Sequence, residues 1–204
     1  MITFPQKSNW LVSGSSQAGK SEFVLKLVTH AQQLFEPPPE RFIWCYSIFN
    51  KKYEEYSKFI EFTDVVPKVN SFDGTTRTMI VLDDLMQNID SNIEEMFTKG
   101  SHHKSLTVIF ITQNLFSKQQ RTMSLNAHYM VLFRNVRDAT QVQILARQMY
   151  PGKGQSHTLM EAYKDSTSTS YGYLLIDLRA ETEDLLRLRT NIFPSESNFV
   201  YISK

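Results

Sequence analysis

A short run near the start of the chain, Gly14-Ser15-Ser16-Gln17-Ala18-Gly19-Lys20-Ser21, fits G-x-x-x-x-G-K-[ST] at every fixed position. Each fixed residue type has a task at a polyphosphate. Gly14 and Gly19 are expected to adopt backbone angles that a Cβ forbids, so that successive N–H groups from Ser15 to Ala18 curl around an anion. Lys20 sets a point charge against the outer phosphates. The Ser21 hydroxyl is a ligand for Mg²⁺, and a helix that opens there points its positive end at the phosphates.

A phosphate cradle that does chemistry also needs a metal-holding acid and a group acting on water. Met79-Ile80-Val81-Leu82-Asp83-Asp84 is an apolar run that ends in two carboxylates. A buried strand of this kind delivers its acid to the carboxyl edge of a sheet, where ligands bind. Asp83 is therefore expected to hold Mg²⁺ together with Ser21, and Asp84 to polarise the attacking water. The next apolar run, Leu106–Thr112, leads into Gln113 and Asn114. A polar side chain there would face the γ-phosphate or the water, with Gln113 the first choice and Asn114 the second. No N-K-x-D guanine-reading run occurs, so ATP is expected as substrate rather than GTP.

These residues must be positioned by alternating strands and helices. Strands are predicted at Trp10–Ser13, Phe42–Tyr46, Met79–Leu82, Leu106–Thr112, Tyr129–Phe133, Tyr173–Leu178 and Phe199–Ile202. Helical patterns occupy Lys20–Phe35, Lys51–Phe59, Ile93–Lys99 and Ala139–Met149, the last stopped by Pro151 and Gly152. Apolar strands separated by helices predict an α/β fold of the P-loop NTPase class, with a mostly parallel sheet covered on both faces. A strand with an extra catalytic acid and a sensor strand places it in the ASCE branch. One domain over residues 1–204 is expected, with its core at about 9–152. Residues 152–170, rich in Gly, Ser and Thr, are expected to be mobile, with C-terminal strands following the core.

Composition narrows the partners. Lys plus Arg number 22 and Asp plus Glu 21, a net charge of +1, so the chain as a whole has no polyelectrolyte bias toward nucleic acid. Lys51, Lys52, Lys58 and Arg77 read as a mixed-charge surface. The one cysteine, Cys45, excludes an internal disulfide and reads as a small buried thiol. His102 and His103 read as a solvated loop. Apolar runs are too short for a membrane span. An intracellular, reducing compartment and no membrane partner are the expectation.

Beyond the nucleotide motifs, the chain resembles the DNA-packaging ATPases of the FtsK/HerA superfamily, particularly those of Maverick/Polinton elements and related eukaryotic DNA viruses. The resemblance rests on Gly14–Ser21, Met79–Leu85, FITQNLF (Phe110–Phe116), RTMSLNAHYMVLFRNVRD (Arg121–Asp138) and ILARQMYPG (Ile144–Gly152). It implies a Mg²⁺-dependent ATPase that forms a ring homo-oligomer, a pentamer or hexamer, and threads double-stranded DNA into a capsid at its portal or vertex. The site of action would be the host-cell site of virion assembly. Ring motors of this kind use a cation from the neighbouring subunit at the γ-phosphate; Arg121 is the first choice, ahead of Arg134 and Arg137. A nucleotide-dependent assembly switch, or a DNA translocase that does not package, is the alternative.

Overall fold

A computed structural model describes residues 2–85, 90–116, 120–137, 139–152 and 156–202, apart from the His102 side chain. In chain order the elements begin with β1 (Phe4–Pro5), β2 (Asn9–Ser13), α1 (Lys20–Thr29), α2 (Ala31–Leu34), β3 (Phe35–Glu36), β4 (Arg41–Tyr46), α3 (Tyr53–Tyr56) and β5 (Glu61–Thr63). The middle holds β6 (Thr78–Asp83), α4 (Ser91–Glu95), α5 (Ser101–His103), β7 (Leu106–Thr112), α6 (Arg121–Leu125) and β8 (Tyr129–Phe133). The rest comprises α7 (Ala139–Met149), α8 (Ser156–Ser166), β9 (Tyr173–Asp177), β10 (Leu188–Thr190) and β11 (Phe199–Tyr201).

The main sheet runs β11-β10-β9-β8-β2-β7-β6-β4-β5. From β8 to β5 every pairing is parallel, whereas β8-β9, β9-β10 and β10-β11 are antiparallel. The central strands β2, β6, β7 and β8 are buried along their whole length. That is why they read as unbroken apolar runs rather than as alternating ones.

Side-chain alternation along each strand divides the interior into two cores. Leu11, Ile80, Leu82, Val108, Phe110, Met130 and Leu132 face one way and pack with residues of α4, α6, α7 and α8. Trp10, Val12, Met79, Val81, Ile109, Ile111, Val131 and Phe133 face the other way and pack with α1, α2 and Tyr53. A sheet sandwiched in this way is the expected class. The helix beyond β6 starts on the Asp90 side chain, which accepts from Ile93 N at 3.0 Å. It continues through a π turn at Met96–Gly100 into α5.

Several elements depart from expectation. The predicted helix over Lys20–Phe35 ends at Thr29, restarts as α2, and gives up Phe35 to β3, which pairs with β1. Of Lys51–Phe59 only Tyr53–Tyr56 is helical, since the segment buries little besides Tyr53. Residues 152–170 are the clearest correction: α8 occupies 156–166, because Leu159, Ala162 and Tyr163 supply a buried stripe at helical spacing. The main sheet also runs on past residue 152, for β9 extends it directly from β8. Asp138, the last residue of one resemblance run, lies outside the described residues.

Candidate nucleotide site

The loop between β2 and α1 is anchored on both flanks. Gly14 N donates to Thr112 O at the end of β7, at 3.4 Å, and Ser15 Oγ donates to Arg134 O just past β8, at 3.1 Å. The two fixed glycines serve different ends. Gly19 has φ of 100°, and Gln17 before it has φ of 62°, so this side of the loop does use left-handed backbone. Gly14 does not; a Cβ there would stand 2.5 Å from the Phe133 Cβ. Its hydrogen side chain lets β8 approach β2, which corrects the expectation that both glycines are needed for their backbone angles.

α1 begins at Lys20 with no side chain capping its N-terminus, so its first N–H groups are free to meet an anion. Lys20 is buried, and Nζ donates to the carbonyls of Gly14 and Ser15 at 2.8 Å each. That burial pulls its pKa down, and the charges of Asp83 and Asp84 oppose the shift. The ammonium is thus held over the loop with two carboxylates in electrostatic reach.

The last residue of β6 completes the centre. Asp83 is buried at the carboxyl edge, and its Oδ2 accepts from Ser21 Oγ at 3.2 Å and from Tyr53 OH at 3.1 Å. Desolvation raises its pKa, while the Tyr53 and Ser21 hydrogen bonds act in the opposite sense. A hydroxyl and a buried carboxylate in contact form a hard-oxygen pair, the donor set that Mg²⁺ takes beside substrate phosphates. Among the described residues no group of three or more His, Cys, Asp or Glu side chains gathers to hold a metal. Mg²⁺ here would therefore rely on the Ser21–Asp83 pair and on phosphate oxygens.

Asp84 follows at φ of 55° with its side chain exposed. A non-glycine residue in that region is a strained placement, and it turns Asp84 out of the strand into a cleft of about 390 Å³ shared with Asp83, Tyr46 and Tyr53. Gln113, just past β7, is exposed, and its carbonyl accepts from Asn135 Nδ2 at 3.3 Å. Asn114 uses its Oδ1 to accept from Phe116 N at 3.2 Å, so its side chain closes a local turn.

Arg134 and Arg137 are exposed beside the loop end of β8, where Arg134 O holds Ser15. Arg121 is exposed at the start of α6. That helix leads away from the phosphate loop, for Asn126 at its end accepts from Asn9 Nδ2 at the opposite end of β2. The structure thus joins Ser21, Lys20 and Asp83 at one point and leaves Arg121 on the surface.

Sequence reasoning passed over Tyr53, which lies in a charged stretch whose aromatic spacing carries no motif. It also passed over the far wall of a second cleft, of about 720 Å³, which borders Gly19, Ser21 and Lys26 and is closed by Tyr171, Asn191 and Phe193. A Tyr-Gly pair after a Ser/Thr run was the local sign of a turn at Tyr171. Nothing local tied that turn to the phosphate loop.

No protein-family model matches the chain, and no curated protein matches it significantly. Among solved structures it is similar to the genome packaging NTPase of Sulfolobus turreted icosahedral virus 2. The complex of that protein with AMP aligns at a TM-score of 0.57 and 13% identity, covering 96% of this chain and 97% of the other. The complexes with ATP-gammaS and AMPPCP each align at 0.54, with 12% and 13% identity, over the same shares of both chains. At this identity the likeness speaks for the fold. The β2 loop, the Asp83 strand and the intervening β7 agree with it: the chain has the α/β fold of P-loop NTPases.

Proposed function

We propose that this chain is a Mg²⁺-dependent ATPase whose subunits assemble into a ring that drives double-stranded viral DNA into a capsid. The observation that carries the ATPase reading is the Ser21 Oγ–Asp83 Oδ2 contact at 3.2 Å. It joins two motifs far apart in sequence at the mouth of the phosphate loop. Mg²⁺, when bound, neutralises charge on the phosphate oxygens. Lys20 holds the outer phosphates, exchanging its loop carbonyls for phosphate oxygen. Asp83 and Ser21 stay fixed by one another and by Tyr53. Asp84 orients water and accepts its proton, and Gln113 senses the γ-phosphate from the neighbouring strand.

The packaging reading is supported by the resemblance of the runs from Phe110 to Gly152 and by a fold shared end to end with a genome packaging NTPase. That viral protein takes ATP analogues and AMP, which suits ATP as the substrate here. An oligomer would supply the charge that one subunit lacks: several weak inward contacts on a single duplex add by multivalency. The place of action would be inside the host cell, where capsids are filled.

The reading is tested by DNA affinity and phosphate release from Mg-ATP, measured across protein concentration with and without long double-stranded DNA. Affinity is also measured with a non-hydrolysable ATP analogue. Turnover is expected to rise with DNA only once the protein assembles, and binding to fall steeply with salt. ATP turnover indifferent to DNA in the assembled form would leave a nucleotide-dependent assembly switch.

A further inference from the structure

We infer that the 720 Å³ cleft beside α1 is a nucleoside-binding subsite, in which Tyr171 carries the base and Asn191 reads its edge. The inference rests on the proposed ATP reading and specifies its other end. A nucleoside triphosphate is a linear ligand. If its outer phosphates lie at Lys20 and Asp83, the nucleoside must leave on the side away from Asp83 and Asp84, which border the separate 390 Å³ cleft. The larger cleft opens on that other side, from Gly19 and Ser21 along α1 to Lys26. Its size is ordinary for a small-molecule site.

The walls are built rather than incidental. Tyr171 is 71% exposed and sits at φ of 63°, a costly way to place an aromatic side chain. Its ring lies against the phosphate loop, with Cδ1 2.9 Å from where a Gly19 Cβ would be. The turn behind it is fixed: Gly172 N donates to Thr169 O at 3.2 Å, and a Cβ at Gly172 would collide with Ser166 O.

Opposite, Tyr173 OH accepts from Ile192 N at 2.9 Å and its carbonyl accepts from Thr190 Oγ1 at 2.7 Å. These bonds hold the segment in which Asn191 sits at φ of 54°. Phe193 forms a buried floor packed on Phe23 at 5.3 Å, with Lys26 Nζ 4.4 Å above its ring and bonded to Glu196 at 2.6 Å. An exposed ring on a rigid turn, an amide across from it and an apolar floor form a base-and-sugar site. Stacking on one aromatic side chain tolerates any base, so a hydrogen-bonding group is needed for choice among them.

The test compares ATP with inorganic tripolyphosphate, which has the phosphates and no nucleoside, by isothermal titration in the presence of Mg²⁺. For Tyr171→Ala, a change at an exposed position, ATP affinity is expected to fall about tenfold or more. Tripolyphosphate affinity should stay within about twofold of the parent, and Tyr171→Phe should restore ATP binding. Asn191→Gly keeps the left-handed backbone and is expected to narrow the preference for ATP over GTP and CTP. Equal losses for both ligands in Tyr171→Ala, or no loss in either, would overturn the subsite. Failure of the unsubstituted protein to bind either ligand would instead overturn the ATP reading on which it rests.

Discussion

At the scale of single residues, the site separates holding from reacting. Lys20 Nζ holds the carbonyls of the loop proposed to take ground-state phosphate, so Lys20→Ala is expected to abolish ATP binding in an isothermal titration. Asp83 is costly to the fold: its pKa is raised above 3.8, chiefly by burial, so its charged form is disfavoured in the native state. The resulting penalty is absent below the unfolded value near 3.8 and grows as pH rises through the shifted value. Asp83→Asn is therefore expected to melt higher than the parent at pH 8, with the gain shrinking toward pH 4 and Mg²⁺-dependent turnover lost. Melting curves across pH check this, and a gain that increased on acidification would contradict it. Lys20 and Ser21 stood out in the sequence because they belong to a motif of fixed spacing, and Asp83 because it ends an apolar run. Tyr53 did not, since its hydrogen bond to Asp83 depends on a tertiary approach that no local pattern records.

At the scale of elements, the sheet was legible and its trimmings were not. Strands β2, β4, β6, β7 and β8 carry continuous apolar runs because helices cover both faces. The two- and three-residue strands β1, β3, β5 and β10 are too short to show any period. α8 was hidden by composition: the Ser and Thr residues around it, from Ser156 to Ser170, outweighed the short stripe of Leu159, Ala162 and Tyr163. The packing of β8 against the phosphate loop yields a prediction of its own. Gly14→Ala should lower stability by about 1–3 kcal/mol through overpacking against Phe133, measured by denaturant unfolding. A neutral substitution would mean that the two segments are not pressed together. Cys45 lies within β4 with its thiol pushed up to about 12 by burial. It should resist a thiol reagent at pH 8 in the native protein and react readily once the protein is unfolded.

At the scale of the whole molecule, the fold places Lys20, Ser21 and Asp83 together at one edge of the sheet and leaves Arg121 exposed on α6, whose far end meets Asn9. Such a residue is free to serve a neighbouring subunit. Arg121→Ala is expected to bind ATP, to hydrolyse it slowly, and to depress mixed assemblies faster than linear dilution when titrated into active protein. Loss in simple proportion would restrict Arg121 to its own subunit or remove it from the reaction. The proposed assembly rests on resemblance alone, because a net charge of +1 carries no signature of a nucleic-acid partner. The most direct test of the central claim is steady-state phosphate release from Mg-ATP on long double-stranded DNA, with assembled parent and Asp84→Asn side by side. Asparagine tolerates the left-handed backbone at this position, so the comparison isolates the carboxylate. DNA-stimulated turnover in the parent, lowered in Asp84→Asn by about 10²–10⁴-fold with ATP binding retained, is the expected result. Turnover at the parental rate in Asp84→Asn, or parental turnover that ignores DNA, would contradict the account.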